Sequence, residues 1–301
     1  MTKVTSKIIA DFLSKNLIGK DIIIAGPSPI DSIKKDTFFF VKSKFIKNFK
    51  IPNNTLAIAS KQISIPKNAS LIISKNPRYD FIKIINKFFV KQFKFNIDRN
   101  VTIPKSCLID KDVFISKNVT IGENVRIGKN SKIYSNVYIG DNVVIGRNST
   151  IKPGAILGTA GFGFGFDDDN SEPIEFNHSG SVEIGNNVHI GANTCIDQGT
   201  FSNTIIEDNV KIDNLVHISH NCIIRKNSII TACAEISGSV IIDESCWISP
   251  NVSIKQKCHI GKKSFIGLGA VVIKDIPENT KVMGVGALSL KQFLSLKKIL
   301  D

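Results

Sequence analysis

Histidine is the side chain best suited to accept a proton near neutral pH, and this chain has five of them. Two of these, His217 and His220, lie in the segment HISHN, which ends at Asn221. A histidine held in a groove can act as general base for a nucleophile that must lose a proton. An exposed histidine alone is more often structural, so its place in the fold decides between the two interpretations.

A glycine- and phenylalanine-rich segment is the second candidate for chemistry. Gly158–Phe166 reads GTAGFGFGF and runs into an acidic tip, Asp167–Asp169. Such a loop could fold over a neighbouring groove, and loops often carry function; the alternative is an excursion packed by its own phenylalanines. A dinucleotide-binding fingerprint is excluded, because the spacing is GxGxG and no βαβ unit surrounds it. His178, in EFNHSG, either contacts a ligand or caps this loop.

These residues lie within a long six-residue repeat. From Ile103 to Val272 a branched aliphatic residue recurs at every sixth position, with two interruptions. Neither the helical period of 3.6 nor the strand period of two explains this, and the period predicts a parallel β-helix built from hexapeptides. Counting the aliphatic residue as position one, position five is small or β-branched, which fills a narrow prism. Position four is often Asn, which adopts the left-handed backbone of a tight corner, and Gly at position two fits the same corner.

The repeat also predicts where the histidines point. His220 is at position three of its hexad, so its side chain should leave the prism and enter a groove between subunits. His217 either lines the same groove or only flanks the core residue Ile218. His189 and His259 directly precede core aliphatics, and we expect them at the surface.

Composition narrows the class of protein. The chain has 301 residues, 42% hydrophobic content and a formal net charge of +13, but its lysines are scattered, which argues against nucleic-acid binding. An acidic carrier protein or a phosphorylated cofactor fits this charge better. The six cysteines form no CxxC pair, and we interpret those at position five as small core residues rather than metal ligands. The sequence shows no signal peptide and no membrane span, so we expect a cytoplasmic protein, with peripheral membrane contact left open.

Segments without the six-residue period flank the repeat. Residues 1–100 read as a small α/β domain, with helical spacing near each end and short strands between. The β-helix is predicted over 101–276. The extension 277–301 begins with Pro277 and contains an amphipathic helix, LSLKQFLSLKKIL.

Both the order of these parts and several motifs resemble one family, the UDP-3-O-acyl-glucosamine N-acyltransferases of lipid A biosynthesis. SKNPRYDFIKI (Ser74–Ile84) is similar to that family's KNPY helix start, and Gly158–Phe166 looks like its DGFGF loop. The specific part is Ile190–Asn221, which is similar throughout to the family's central block ending in IAHN. The resemblance implies a mainly β protein: a left-handed parallel β-helix of hexapeptide repeats, with a small α/β N-terminal domain and a short C-terminal helix.

The resemblance also implies a site. It makes His220 the general base and gives Asp213, in KIDN, the task of orienting the imidazole. It places the loop at the sugar and acyl-donor site. The remaining substrate-binding candidates are Gly161, Phe162, Gly163, Phe164, His178, His217, Asn221 and Lys257.

Two departures from the family pattern bear on the substrate. The family reads a uracil ring with Phe-x-x-Asn-x-x-Tyr, whereas the matching positions here are Phe39, Lys42 and Phe45. Phe39 could still stack on a base, but the lost amide and phenol would have supplied polar discrimination. A second family histidine falls on Lys257, which could meet a phosphate as a point charge.

Two enzymatic hypotheses follow. The first is transfer of a 3-hydroxyacyl chain from acyl carrier protein, as its phosphopantetheine thioester, to the 2-amine of UDP-3-O-acyl-glucosamine. The second is N-acylation of another nucleotide-linked amino sugar for surface polysaccharide, with acyl-CoA as donor. Neither needs a metal or a tightly bound cofactor, and both imply a homotrimer with sites between subunits. A β-helical scaffold without activity is the alternative from another class.

Overall fold

A computed structural model describes residues 3–41, 50–90, 94–166 and 172–286. Its contacts divide the chain into two units, Met1–Phe93 and Lys94–Asp301. The sequence placed this boundary near residue 100, but Ile97 already forms a bridge with Ile115 of the β-helix. Lys42, Phe45, the acidic tip of the loop and the C-terminal amphipathic helix lie outside the described residues.

The first unit is a mixed α/β fold. Its elements in chain order are β1 (Val4–Thr5), α1 (Ser6–Phe12), β2 (Leu17–Gly19), β3 (Ile23–Ile24), β4 (Gly26–Pro27), β5 (Thr37–Val41), β6 (Thr55–Ala59), β7 (Ser70–Ile73), α2 (Pro77–Ile84) and a π-helical turn (Ile85–Phe89). The main sheet has the order β2-β7-β6-β5-β4, with only β2 antiparallel. Side chains alternate along β5, so Phe38 packs into the core on the helix side and Phe39 into a second core on the opposite face.

The second unit is a β-helix with three parallel faces. Face 1 contains Thr120–Ile121, Tyr138–Ile139, Ile156–Thr159, Cys195–Asp197, His217–Ile218, Glu235–Ile236, Ser253–Ile254 and Val271–Val272. Face 2 contains Leu108–Ile109, Arg126–Ile127, Val144–Ile145, Val182–Ile184, Thr204–Ile206, Ile223–Ile224, Ile241–Ile242 and His259–Ile260. Face 3 contains Phe114–Ile115, Lys132–Ile133, Thr150–Ile151, His189–Ile190, Lys211–Ile212, Ile229–Ile230, Trp247–Ile248, Phe265–Ile266 and Lys281–Val282. The predicted parallel β-helix is therefore confirmed.

The core follows the predicted register. Position-one aliphatics such as Ile127 and Ile145 pair across coils and are buried, together with position-five residues such as Val125 and Val143. Cys222, Cys246 and Cys258 belong to the same core, and all six cysteines are free. The two interruptions lengthen individual coils, but the core residues keep their pairing, because Leu157 pairs with Ile196 and Ile196 with Ile218. A bulge between Leu157 and Thr159 is the local irregularity.

The corners confirm the interpretation of the position-four asparagines. Every one of them has a positive φ between 54° and 63°: Asn118, Asn124, Asn130, Asn142, Asn148, Asn187, Asn193, Asn221 and Asn227. The position-two glycines have a different reason. Gly146 has no positive φ, but a Cβ there would lie 2.6 Å from the carbonyl carbon of Gly185 in the next coil. Glycine is needed there for close approach of two backbones, not for the turn itself.

No helix among the described residues is long and apolar enough to cross a bilayer.

Candidate active site

Stacking of the coils on face 1 places His220 in a row of matching positions. Ile196, Ile218, Ile236 and Ile254 pair in sequence, and each is followed two residues later by a member of the row. The row contains Gln198, His220, Gly238 and Gln256. Each side chain here leaves the prism at the end of a face-1 strand. The predicted outward direction of His220 is consistent with its half-buried environment.

The next residue, Asn221, holds the imidazole. Asn221 occupies a left-handed corner with φ 61° and its Oδ1 lies 2.9 Å from His220 Nδ1. The orientation of its amide is set by two backbone groups: Thr200 N–H donates to Oδ1 at 3.1 Å, and Nδ2 donates to the carbonyl of Ser202 at 3.3 Å. The Thr200 hydroxyl also donates to Oδ1. Both partners come from the second interruption, whose extra residues wrap over this corner.

This network defines the tautomer of His220. Because Asn221 Oδ1 is an acceptor, Nδ1 of the neutral ring must carry the hydrogen and donate. Nε2 is then left with its lone pair, and it faces Gly238, where a Cβ would lie only 2.6 Å away. His220 thus has one ring nitrogen, Nδ1, held by a hydrogen bond and the other, Nε2, open as an acceptor, which is the arrangement that general-base chemistry requires.

Asp197 adds a buried carboxyl group to the same region. It is 7% exposed and its Oδ2 lies 3.7 Å from His217 Nε2, which also contacts the Ser219 hydroxyl at 3.0 Å. Burial raises the pKa of Asp197, and attraction to His217 and His220 opposes that shift. The structure thus brings His217 to the groove, with its ring directed to Asp197.

His178 covers the other side of His220. The two ring centroids are 5.3 Å apart, and Gln198 Nε2 donates to the His178 carbonyl at 2.9 Å. Burial lowers the pKa of His178, and the neighbouring His220 lowers it further. A Cβ on Gly161 would lie 3.3 Å from His220 Cδ2, and one on Gly163 would lie 2.9 Å from His178 Cε1. These two glycines let the loop backbone lie directly against the histidines.

A groove of about 520 Å³ is lined by Asp197, His217, His220, Gly161 and Gly238. One wall is the loop, where the hairpin Phe164–Phe166 with Pro173–Glu175 projects from the prism and Phe162 is 90% exposed. The opposite wall belongs to the coils of Glu235, Ser237 and Gln256. The groove therefore has a polar floor containing His220 and an aromatic rim.

Three predicted residues lie elsewhere. Asp213 is exposed on the corner after face 3, and its carboxylate accepts from the backbone N–H of Asn214 at 2.8 Å. Within one chain it does not reach His220, whose orienting partner is Asn221. The prediction that Phe39 could stack on a base is not supported. Phe39 is fully buried in the core of the first unit, so its ring offers no face to a nucleobase. Lys257 is exposed at the corner beyond Gln256, with its N–H bonded to the Gly238 carbonyl.

Three contributors were missed by sequence reasoning: Asp197, Thr200 and Ser202, whereas the turn Ile236 to Gly238 was a candidate for a backbone oxyanion donor. Asp197 sits in CIDQG, just after a core isoleucine, where the repeat alone marks it as one more exterior residue. The register does contain a signal for Gly238, since it lies one coil after His220 at the same hexad position. Nothing comparable marks Thr200 and Ser202, because they belong to an insertion without a period. Among the described residues, no cluster of His, Cys, Asp and Glu is placed to hold a metal ion.

Comparison with known proteins agrees with this geometry. The model for bacterial transferase hexapeptide repeats matches residues 124–159 and 203–238, and the model for the hexapeptide repeat of succinyl-transferase matches 181–220. Among solved structures, LpxA from Acinetobacter baumannii is 27% identical with a TM-score of 0.57, covering 67% of this chain and 77% of that one. A UDP-N-acetylglucosamine acyltransferase is 25% identical with a TM-score of 0.58, covering 68% and 79%. Fold and repeat define the chain as a left-handed hexapeptide β-helix protein.

The curated relatives are more specific. UDP-3-O-acylglucosamine N-acyltransferases from Herminiimonas arsenicoxydans and Caulobacter sp. are 35% and 34% identical, covering 44% and 48% of this chain and 38% and 42% of their own lengths. UDP-3-O-acylglucosamine N-acyltransferase 2 from Legionella pneumophila strain Lens is 38% identical, and the match covers 48% of this chain and 41% of that enzyme. The chain thus spans less than half the length of these relatives. The matches confirm the resemblance to UDP-3-O-acylglucosamine N-acyltransferases that the sequence motifs predicted.

Proposed function

We propose that this protein transfers a 3-hydroxyacyl chain from acyl carrier protein to the 2-amine of UDP-3-O-acyl-glucosamine, with His220 as general base. One observation carries the proposal: His220 donates Nδ1–H to Asn221 and presents Nε2 to the groove. The names of the similar curated proteins supply the substrate class.

The chemistry uses the groove as follows. The amine nitrogen attacks the thioester carbonyl carbon while Nε2 accepts its proton, which forms the C–N bond and a tetrahedral oxyanion. The oxyanion then collapses, the C–S bond breaks, and the imidazolium returns the proton to the leaving thiolate. The products are an amide and a free thiol. Asn221 stabilises the transient charge on the ring through the Nδ1–H bond, because its oxygen is held in place by the Thr200 N–H.

Gly238 is the candidate oxyanion donor. Its N–H has no hydrogen-bond partner in the described part of the chain, and its Cα faces His220 Nε2. A free backbone N–H beside the base is suited to stabilise charge that develops on the carbonyl oxygen. The exposed rings of Phe162 and Phe164 offer an apolar wall to an acyl chain, and Lys257 offers a cation to a phosphate.

Partners and location belong to the same proposal. The net charge of +13 favours an acidic carrier protein as donor. A homotrimer with composite sites fits the flat parallel faces, and a cytoplasmic enzyme fits a soluble nucleotide sugar. A second candidate function, N-acylation of a different nucleotide-linked amino sugar with acyl-CoA, is favoured by the burial of Phe39, which removes one predicted contact to a uracil ring.

The deciding experiment is a paired assay on purified protein. UDP-3-O-(3-hydroxyacyl)-glucosamine is offered with 3-hydroxyacyl carrier protein, and a panel of nucleotide amino sugars with acetyl-CoA, with products identified by mass. We expect turnover with the carrier protein. Turnover only with CoA would replace the first proposal by the second. No turnover in either arm, with folded protein, would favour the inactive scaffold.

A further inference from the structure

A second cavity lies in the first unit, far along the sequence from His220. It encloses about 740 Å³, within the range of small-molecule sites. Its apolar lining consists of Pro27, Pro29, Ile30, Phe40, Phe81 and Ile85. We call this cavity the N-terminal pocket. Phe40, Phe81 and Ile85 belong to the helix-side core, whereas Ile30 packs against the core that contains Phe39, so the pocket lies at the edge of the sheet beside β4.

The pocket has almost no side chain able to read polar groups. Ser28 is 7% exposed, and its hydroxyl is already bonded to the Thr37 hydroxyl at 2.8 Å. A heterocycle bound here would leave its hydrogen-bonding edge without side-chain partners, which is costly. An unbranched hydrocarbon chain has no such requirement, so the lining selects an aliphatic body.

Arg78 is the exception at the rim. It is exposed in the first turn of α2 and forms no hydrogen bond or ion pair in the described part of the chain. A cation there is unfavourable for the helix itself, since the helix N-terminus carries partial positive charge. Pairing with the neighbouring Asp80 does not account for the position of Arg78. The Asp80 carboxylate accepts a hydrogen bond from the Ser74 hydroxyl and pairs with Lys15 at 3.2 Å. Arg78 is therefore available to an anionic group.

The backbone beside the pocket is irregular. After Ile84 the helix widens to a π-helical turn, Ile85–Phe89, closed by the bond from Val90 N–H to the Ile85 carbonyl at 3.1 Å. Such turns interrupt an α-helix at a cost and occur often at functional sites. Ile85, where this turn begins, lines the pocket.

We infer that the N-terminal pocket binds an amphiphile consisting of a single unbranched acyl or alkyl chain and one anionic head group, which Arg78 holds. The head can be a carboxylate or a phosphate, since guanidinium matches both. This inference does not depend on the function proposed for the groove at His220.

The test uses the full chain and a fluorescent probe, dansylaminoundecanoate, displaced by unlabelled dodecanoate, dodecyl phosphate, dodecanol or dodecyltrimethylammonium. We expect both anions to displace the probe, and the carboxylate-to-phosphate ratio identifies the preferred head. Arg78→Ala should weaken both anions roughly tenfold and leave dodecanol unchanged. Lys75→Ala, a nearby exposed cation outside the pocket, is the matched control and should change nothing.

Filling the pocket gives an independent readout. Ile30→Trp should abolish probe binding. If that variant does not fold, Pro29→Trp, at an exposed position of the pocket lining, replaces it and should have the same effect. Phe162→Ser alters the groove at His220 and should leave probe binding intact. Loss of binding in Phe162→Ser but not in the filled variants would place the probe in the groove and overturn the inference. The inference would also be overturned if no amphiphile bound, or if uridine monophosphate displaced the probe from the parent protein as well as dodecanoate does.

Discussion

Two corners of the β-helix have the same backbone conformation and different side-chain partners. Asn124, with φ 58°, donates its amide to Asn142 one coil further on, at 3.2 Å. Asn221, with φ 61°, lies in a corner followed by Ser239 and then Lys257, so its amide has no asparagine to continue the ladder. It instead holds Ser202, Thr200 and His220. The positive φ of the corner favours asparagine. The neighbouring insertion, with Thr200 and Ser202, supplies the hydrogen-bond partners with which Asn221 also holds His220.

The comparison shows how a repetitive fold acquires a reactive group. At the regular corner the amide of Asn124 bonds to the asparagine of the next coil. At the His220 corner the second interruption supplies new hydrogen-bond partners, and the next coil presents a glycine instead of a side chain. A proton acceptor is thereby exposed without any change in the backbone of the prism.

Removing the base tests the largest difference between the two corners. We expect His220→Ala to lower kcat by about 10²–10⁴-fold, the usual contribution of a positioned general base, while the fold persists because the side chain points outward. Turnover by mass detection and circular dichroism measure the two effects. His189→Gln, a histidine on face 3, should keep full activity. Activity within tenfold of the parent in His220→Ala would exclude this residue as the base.

Adding one methyl group to Gly238 tests the space beside Nε2. The new Cβ would lie 2.6 Å from that nitrogen, so the ring must move, and a displacement of about 1 Å can cost roughly 10²-fold in kcat. Gly26→Ala, where a Cβ meets nothing within 4 Å, is the control. Normal kcat in Gly238→Ala, measured on protein with an unchanged melting temperature, would mean that Nε2 is not where the reaction occurs.

Replacing each corner asparagine by glycine compares the two amides directly. Glycine retains the positive φ, so only the side-chain bonds disappear. Asn221→Gly should lower kcat about tenfold, the equivalent of one hydrogen bond of about 1.4 kcal/mol. Asn124→Gly should leave kcat unchanged and reduce the free energy of unfolding by about 1 kcal/mol or less. Equal kinetics for both variants would show that Asn221 is only a corner residue.

The smallest expected effect is a change in pH dependence near neutral pH, which the regular corner lacks because it holds the carboxyl groups of Glu123 and Asp141 but no histidine. Burial and His220 hold the pKa of His178 below its ordinary value of 6.5, so the folded protein prefers the neutral ring. Its contribution to the free energy of unfolding is complete above pH 6.5 and is lost as the pH falls through the folded-state pKa. His178→Gln should therefore reduce the loss of stability that accompanies a fall in pH below 6.5. Urea unfolding at several pH values measures the free energy of unfolding. An identical pH dependence in the parent and in His178→Gln would contradict this role of His178.

The prism was predictable because its physical constraint repeats at a fixed interval. One aliphatic and one small residue per hexad fill the interior, and most left-handed corners use Asn, so most hexads restate the same information. The corners at Leu215, Cys233, Ser239, Ser245, Lys257 and Lys263 adopt the same positive φ with other residues. His220 could be located because it inherits that register. The tautomer of His220 could not be predicted, because it depends on Asn221, whose partners Thr200 and Ser202 come from an insertion without a period. Asp213 is only seven residues from His220 in the sequence, yet the corner between them places it after a different face of the prism, so within one chain Asn221 and not Asp213 contacts the imidazole.

Stacked coils also make the surface a molecular ruler. Neighbouring parallel strands lie about 4.8 Å apart, so the row from Gln198 through His220 and Gly238 to Gln256 spans about 14 Å in three fixed steps. A ligand along this row meets side chains at set intervals rather than at arbitrary distances. Changing which atom of a substrate faces His220 therefore requires moving a residue by a whole coil. Such a scaffold should alter its regiospecificity in discrete jumps, not gradually.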